Sequence, residues 1–295
     1  MRLRTILCPI DFSDLSTRET EVAVEVAREF GARLVLHHDC AAIAPGIARQ
    51  WDWEATHRNA DDEAQARRHM QAALNALPRD VRPEGVVSTG PVAGAMLALA
   101  EQLPADLIVL GSHGWSTETH ASVTERVIAE APCPVLTFNE GAVSSGRFQL
   151  RTEAGGEPPL VVVPTDFSPT AAHAVRYAFA LARELPIRLQ LLHVLSRPDA
   201  GAETVARARL AALRPADVSA PVDVDVTVGD AAEAIFAHLA ALTPAFAVLG
   251  EHARGWLRRA FTRDTARRVV HGASCPVWVV PHRAPLRHQV NGELR

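Results

Sequence analysis

The chain has 295 residues, of which 48% are hydrophobic and 22% are charged, and its formal net charge is −4. This length suits about two domains of ~100–200 residues each. A slightly acidic chain lacks the positive field that nucleic acids and anionic membranes attract, so neither is an expected partner. No apolar stretch could span a bilayer, no secretory signal opens the chain, and the four cysteines form no CxxC pair or disulfide framework. We therefore expect a reduced, cytoplasmic protein.

Strand and helix patterns alternate along the first half of the chain. An apolar strand at Thr5–Pro9 precedes helical spacing over Ser16–Glu29, which opens with a Ser16/Glu19 capping box and ends at Gly31. Apolar strands separated by helices indicate a parallel sheet covered on both faces. The remaining predicted elements are strands at Leu34–His38, Gly85–Thr89, Leu107–Leu110 and Val135–Phe138, and helices at Asp61–Ala76, Val92–Gln102 and Ser122–Glu130.

The second half repeats the first. "LCPIDFSDLS" at Leu7–Ser16 recurs as "VVPTDFSPTA" at Val162–Ala171, where Ser168 and Pro169 form a helix N-cap followed by proline. The blocks "RLVLHHD" and "RLQLLHV" also recur, and we align His37 with His193. Each half is thus predicted to be a five-stranded doubly wound α/β domain. The expected boundaries are a first domain at 1–140, a linker at 141–159, a second domain at 160–283 and a tail at 284–295.

The repeated Asp and Gly residues mark a candidate crevice in each half. Open parallel sheets bind ligands at the carboxyl ends of their strands, where the strand order reverses. Asp11 and Asp166 follow the first strand of each half, whereas Gly111 and Gly250 follow the fourth. The Asp side chain could accept hydrogen bonds from a ligand, and the glycine N–H groups could hold phosphate. Helix capping or a turn explains the two Asp residues equally well.

This order of motifs resembles the universal stress protein family, once in each half. The resemblance implies two tandem Rossmann-like domains with strand order 3-2-1-4-5. Many members bind ATP in this crevice, others do not, and members are often dimeric. The implied nucleotide-contacting positions are Pro9, Ile10, Asp11, Gly111, His113, Gly114, Ser122, Val123, Thr165, Asp166, Gly250, Arg263 and Asp264.

Both phosphate loops depart from the ATP-binding pattern of the family, which is Gly, two residues, Gly, nine residues, then Gly-Ser or Gly-Thr. The first half keeps Gly111 and Gly114, but the interval to Ala121-Ser122 is three residues short. The second half has Ala253 for the second glycine and Arg263-Asp264 at the end. A methyl group and a carboxylate near phosphate are unfavourable. No cofactor is therefore certain, and ATP remains possible in one half.

Two clusters admit other chemistry. His37, His38, Asp39 and Cys40, with His57 and His113, could form a zinc site, although the alignment of His37 with His193 favours a structural role. A run of arginines suits a solvated helix face better than an anion site. That run comprises Arg254, Arg258, Arg259, Arg263, Arg267 and Arg268.

The sequence favours a non-enzymatic stress-response protein that binds an unknown protein partner or a small ligand. It contains no Ser-His-Asp motif and no complete Walker P-loop. The alternatives are an ATP-binding switch with slow hydrolysis and a metal-binding protein. The apolar last strands, Val135–Phe138 and Val277–Val280, should pair with each other in an intramolecular pseudo-dimer, since exposed strand edges are normally covered, and a homodimer is possible.

Overall fold

A computed structural model describes residues 2–40, 52–111, 120–138, 142, 148, 150–151, 156–251 and 263–281. The chain forms two compact units. The first unit is Leu3–Pro132, and the second comprises Met1–Arg2 with Cys133–Arg295. In the described part of the chain, no helix combines the length and the apolar character needed to cross a bilayer.

The first unit alternates strands and helices. Its four strands are parallel and lie in the order β3-β2-β1-β4, so the order reverses between β1 and β4. Strands β1 and β4 are buried along their whole length, as expected for a sheet covered on both faces. The elements are β1 (Thr5–Pro9), α1 (Asp14–Phe30), β2 (Arg33–Cys40), α2 (Asp52–Ala76), β3 (Glu84–Thr89), α3 (Val92–Gln102), β4 (Leu107–Gly111) and α4 (His120–Glu130).

The second unit contains the fifth strand of the first repeat and all the strands of the second. The second repeat has the predicted order 3-2-1-4-5, and β5 pairs antiparallel with β10, placing Trp278 opposite Leu136. The predicted pairing of the two last strands is therefore confirmed. The elements are β5 (Val135–Phe138), β6 (Leu160–Pro164), α5 (Pro169–Ala182), β7 (Arg188–Leu195), α6 (Ala200–Ala212), β8 (Val222–Val228), α7 (Ala231–Leu242), β9 (Phe246–Gly250), α8 (Arg263–Gly272) and β10 (Val277–Val280).

Helix α1 begins two residues earlier than the sequence pattern predicts. Its N-cap is Ser13, whose side chain accepts a hydrogen bond from the backbone N–H of Ser16. The predicted Ser16/Glu19 capping box is therefore wrong, because Ser16 already lies inside the helix and Glu19 is buried in the core. The end of the helix is as predicted, with Gly31 in the left-handed conformation at φ 62°. Helix α2 likewise begins nine residues before the predicted Asp61.

The strand register corrects the alignment of the two repeats. Pro9 pairs with His37 in the first unit, whereas Pro164, its counterpart in the second repeat, pairs with Leu192. His37 therefore corresponds to Leu192, and the equivalent of His193 is His38. The error arose because either histidine of the His37-His38 pair can be matched to the single His193 when only the sequence is compared.

Candidate functional site

The repeated Asp-Phe-Ser phrase forms the same turn in both repeats. The Asp11 carboxylate accepts a hydrogen bond from the backbone N–H of Ser13 at 2.9 Å, and Asp166 accepts one from Ser168 at 2.9 Å. Each serine then caps the following helix. The phrase is thus an Asx turn joined to an N-cap, which is the structural alternative that the sequence allowed.

The phenylalanine of this phrase is held in a left-handed conformation between two side chains. Phe12 has φ 63°, and its ring centroid lies 4.5 Å from that of His38 and 5.4 Å from that of His69. In the second repeat the corresponding Phe167 lies 4.7 Å from His193, and the Arg209 guanidinium lies 3.9 Å from its ring centroid. This stack is therefore common to both repeats and fixes the turn beside the end of the second strand.

His38 and His193 also make equivalent hydrogen bonds. The Nδ1 of His38 lies 2.8 Å from the carbonyl oxygen of Ile10, and the Nδ1 of His193 lies 2.8 Å from that of Thr165. A carbonyl oxygen can only accept, so Nδ1 carries the proton in both rings. These histidines lock the crevice turn to the neighbouring strand, and their shared role is structural.

A buried carboxyl group lies at the reversal point of the first unit. Glu19, on α1, is only 6% exposed. Its Oε1 would collide with a Cβ atom built on Gly111, and the Gly111 N–H donates a hydrogen bond to the Glu19 carboxyl group. Position 111 must therefore be glycine for this carboxyl group to fit. On the other side of Gly111, its carbonyl oxygen accepts a hydrogen bond from the Thr124 hydroxyl at 3.3 Å.

Burial and then the negative charge of Asp11 raise the pKa of Glu19 to about 8, and the hydrogen bond from Gly111 opposes that rise. Asp11 and Gly111 thus both act on one carboxyl group, as two residues that face the same crevice would. At neutral pH this carboxyl group is mostly protonated. Glu19 was not among the residues predicted for the site.

Among the residues that the structure describes, the corresponding point in the second unit has no such carboxyl group. Ala174 occupies the position equivalent to Glu19. A Cβ atom on Gly250 would collide with the backbone carbonyl oxygen of Thr170, so helix α5 itself packs closely against the end of β9. The two crevices therefore have different floors, although the turns beside them are the same.

A second polar feature of the first unit is a hydrogen-bonded polar triplet of His37, Ser88 and Asp39. The Ser88 hydroxyl lies 2.8 Å from Nε2 of His37 and donates to Oδ2 of Asp39 at 2.8 Å. Burial and the neighbouring His38 lower the pKa of His37 to about 4, so its ring is neutral near pH 7. Burial raises the pKa of Asp39, and hydrogen bonds from Ser88 and from the Gly90 backbone partly offset that rise.

The predicted zinc ligands do not converge in the described part of the chain. His37 and His38 are consecutive on β2, so their side chains point to opposite faces of the sheet. Among the described residues, no three His, Cys, Asp or Glu side chains group as metal ligands would. His57 has no described side chain, and His113 lies outside the described residues.

The predicted site residues fall into three groups. Pro9, Ile10 and Thr165 are buried at the ends of β1 and β6, and Val123 is partly exposed on α4. Asp11 and Gly111 flank Glu19, whereas Asp166 and Gly250 each contact the start of α5. The rest lie outside the described residues or have side chains that do: His113, Gly114, Ser122, Arg263 and Asp264.

The sequence does contain signals for Glu19, His37 and Asp39, which were not predicted as crevice residues. Glu19 lies three and four residues before the buried Val22 and Ala23, so it interrupts an apolar helix face. His37 and Asp39 are both buried and sit at alternate positions of β2, on the same face as the buried Val35. A polar residue where the periodicity demands an apolar one is the usual sign of a buried polar site. The partner Ser88 could be found only from the strand register.

The fold and the position of this crevice define a tandem doubly wound α/β protein. The family model of the universal stress protein family matches residues 2–139 and 160–281. A universal stress protein of Thermus aquaticus is 34% identical over 136 residues, covering 45% of this chain and 96% of that protein. A second relative, from Methanocaldococcus jannaschii, is 30% identical over 147 residues, covering 46% and 82%. The chain therefore belongs to the universal stress protein family.

Solved structures support the same fold over 95% of the chain. The crystal structure of a universal stress protein from Archaeoglobus fulgidus matches with a TM-score of 0.64 at 19% identity, covering 95% of this chain and 97% of that one. A universal stress protein structure from Pseudomonas aeruginosa matches with a TM-score of 0.55 at 16% identity, covering 95% and 93%. At these identities the likeness bears on the fold alone.

Proposed function

We propose that this chain is a cytoplasmic, non-enzymatic stress-response protein that works by binding a small ligand in the crevice of the first unit. The observation that carries the proposal is the polar triplet beside the reversal point. Its residues His37, Asp39 and Ser88 correspond to Leu192, Val194 and Thr227 in the second repeat. Burying a polar group costs free energy unless it is hydrogen-bonded, and the buried Nδ1 of His37 has no partner among the described residues. This uncompensated cost, present in one repeat, favours a ligand role there.

The floor of the same crevice gives little support to ATP as the ligand. The N–H of Gly111 is the first of the backbone donors that could hold phosphate after β4, and it already donates to Glu19. The sequence of the following loop is also three residues shorter than in the ATP-binding pattern of the family. Phosphate binding at a strand end relies on free backbone N–H groups. A ligand held through the polar triplet is the better match.

Native mass spectrometry of the full chain, purified without denaturation, tests this proposal. We expect a retained small molecule, or one taken up from a cytoplasmic metabolite extract. The molecule should be lost from the triple variant His37→Leu/Asp39→Val/Ser88→Thr, which carries the residues of the second repeat. The reverse change at Leu192, Val194 and Thr227 is the matched control and should leave the retained mass unchanged.

A parallel turnover assay with magnesium and ATP separates binding from catalysis. The proposal requires ATP hydrolysis at the rate of the buffer alone. Sustained hydrolysis that is abolished by Asp11→Ala would instead make the chain an ATP-driven switch and would overturn the proposal. A chain that retains no small molecule under any condition would also contradict it.

A further inference from the structure

The hydrogen bonds of the polar triplet have only one possible direction. A carboxylate oxygen accepts, so the Ser88 hydroxyl hydrogen points to Asp39. The Ser88 oxygen must then accept from Nε2–H of His37, 2.8 Å away. Nδ1 of His37 is consequently a bare lone-pair acceptor. It is buried and has no hydrogen-bond partner among the described residues.

The triplet lies on the sheet face opposite α2. A Cβ atom on Gly85 would contact Met70 and Leu74 of α2, and Gly85 pairs with Leu36. Side chains alternate along a strand, so His37 and Asp39 point away from α2, to the face that α3 covers. Because Nε2 of His37 is turned to β3 and the ring nitrogens diverge, Nδ1 is turned away from β3.

The position of the triplet along the strands places it at the crevice. His37 pairs with Pro9, the last residue of β1, and Asp39 lies two residues further along β2. Asp39 therefore projects beyond the end of β1, where the strand order reverses. His37 is 1% exposed and Asp39 is 4% exposed, so both are shielded from bulk water. Hydrogen bonds made there to a ligand would be strong.

The wall made by this triplet offers acceptors and no free donor. The Asp39 carboxylate accepts from Ser88 and from the Gly90 backbone, and its remaining lone pairs can accept from a ligand. His37 contributes the Nδ1 lone pair, and the one hydroxyl hydrogen of Ser88 is already used. A ligand with matching chemistry must present hydrogen-bond donors, N–H or O–H. A carboxylate pairs best with two adjacent N–H groups, which it can accept side by side.

We infer that the polar triplet selects a small ligand with two adjacent N–H donors, as found in a guanine ring or in a guanidinium group. This inference rests on the proposed function, since it names the chemistry of the ligand at that same crevice. An adenine ring fits worse, because the ring nitrogen next to its amino group is an acceptor and would face the carboxylate. The second repeat, with Val194 and Leu192 at these positions, has no such selectivity.

Calorimetric titration of the full chain tests the inference with three probes: guanosine monophosphate, adenosine monophosphate and L-arginine. We expect one of the two probes with paired donors to bind about tenfold to a hundredfold more tightly than adenosine monophosphate. Asp39→Asn keeps the shape of the side chain but replaces an acceptor with a donor, and it should remove that preference. Glu101→Gln, at an exposed position on α3, is the charge-matched control and should bind as the unaltered chain does.

The outcomes are distinguishable. Preference for guanosine monophosphate identifies a guanine-type ligand, and preference for L-arginine identifies a guanidinium ligand, provided that Asp39→Asn abolishes either one. If the molecule retained in native mass spectrometry binds equally well to Asp39→Asn, the inference fails and the proposed function stands. If nothing is retained and no probe binds, both fail. Circular dichroism of each variant verifies that it is folded.

Discussion

Replacing Glu19 with glutamine should stabilise the protein at neutral and alkaline pH. The pKa of Glu19 is about 8 in the folded protein, against an ordinary value of 4.5. Between these two values the unfolded chain has lost the proton while the folded chain keeps it. Unfolding therefore releases a proton, and the free energy of unfolding falls as the pH rises through this window. Glutamine cannot ionise, yet it keeps an oxygen that can accept from the Gly111 N–H.

The expected size of the effect follows from the two pKa values. One pH unit corresponds to about 1.4 kcal/mol, so the full window from 4.5 to about 8 corresponds to about 5 kcal/mol. Glu19→Gln should therefore match the unaltered chain below pH 4.5. It should exceed that chain by about 3 kcal/mol at pH 7 and by about 4 kcal/mol at pH 8, levelling off at about 5 kcal/mol above that.

Urea unfolding followed by circular dichroism from pH 4 to pH 9 measures this difference. Hydrogen exchange of the α1 peptides assigns the change to the first unit. Glu21→Gln, at an exposed position of the same helix, is the control and should leave the pH profile unchanged. Asp11→Asn should lower the pKa of Glu19 in the folded protein, because it removes a nearby negative charge, so stability should stop falling at a lower pH. A Glu19→Gln profile parallel to that of the unaltered chain would refute the reasoning.

Three further changes probe the same framework. His37→Leu gives the first unit the leucine that the second repeat has at position 192. In the unaltered chain the free energy of unfolding should fall by about 3 kcal/mol from pH 6.5 to pH 4, because the folded ring stays neutral while the unfolded one takes up a proton. The variant should lose this fall, as measured by urea unfolding at acid pH. Gly111→Ala should cost about 1–3 kcal/mol through collision with Glu19, and a double-mutant cycle with Glu19→Ala should show strong coupling; additive effects would contradict the contact. Ser168→Ala should cost about 1 kcal/mol by removing the α5 cap, measured as a lower urea midpoint, and an unchanged midpoint would argue against the cap.

The parts of the fold that repeat in the sequence were the most predictable. Strand and helix order and the Ser168 cap follow from local patterns that occur twice. The strand order, with its reversal point, was implied by the resemblance to the family. The start of α1 was misplaced because Ser13 and Ser16 are both competent caps. Only the hydrogen bond that Ser13 accepts from Ser16 distinguishes them.

The candidate site was less predictable because it depends on contacts between strands. The sequence predicted that Asp11 and Gly111 face one crevice if their strands are neighbours, and in the structure both residues act on Glu19. It could not show that the space between them is filled by a side chain from the second turn of α1. Ser88 is far from His37 along the chain and reaches it only through the register of β2 and β3.

Comparison of the two repeats separates the framework from the chemistry of the site. The Asx turn, the left-handed Phe and the ring beside it occur in both units with nearly identical geometry. Because both units keep this arrangement, its role in forming the turn is enough to explain it. Glu19 and the polar triplet occur in one unit only, and they carry the two large pKa shifts described for its crevice. Burying these groups lowers stability, the first as pH rises and the second as pH falls, and the second repeat folds with Ala174 and Leu192 instead. Folding therefore does not require these groups. Because they lower stability and folding can do without them, a role in binding is the better explanation for their presence.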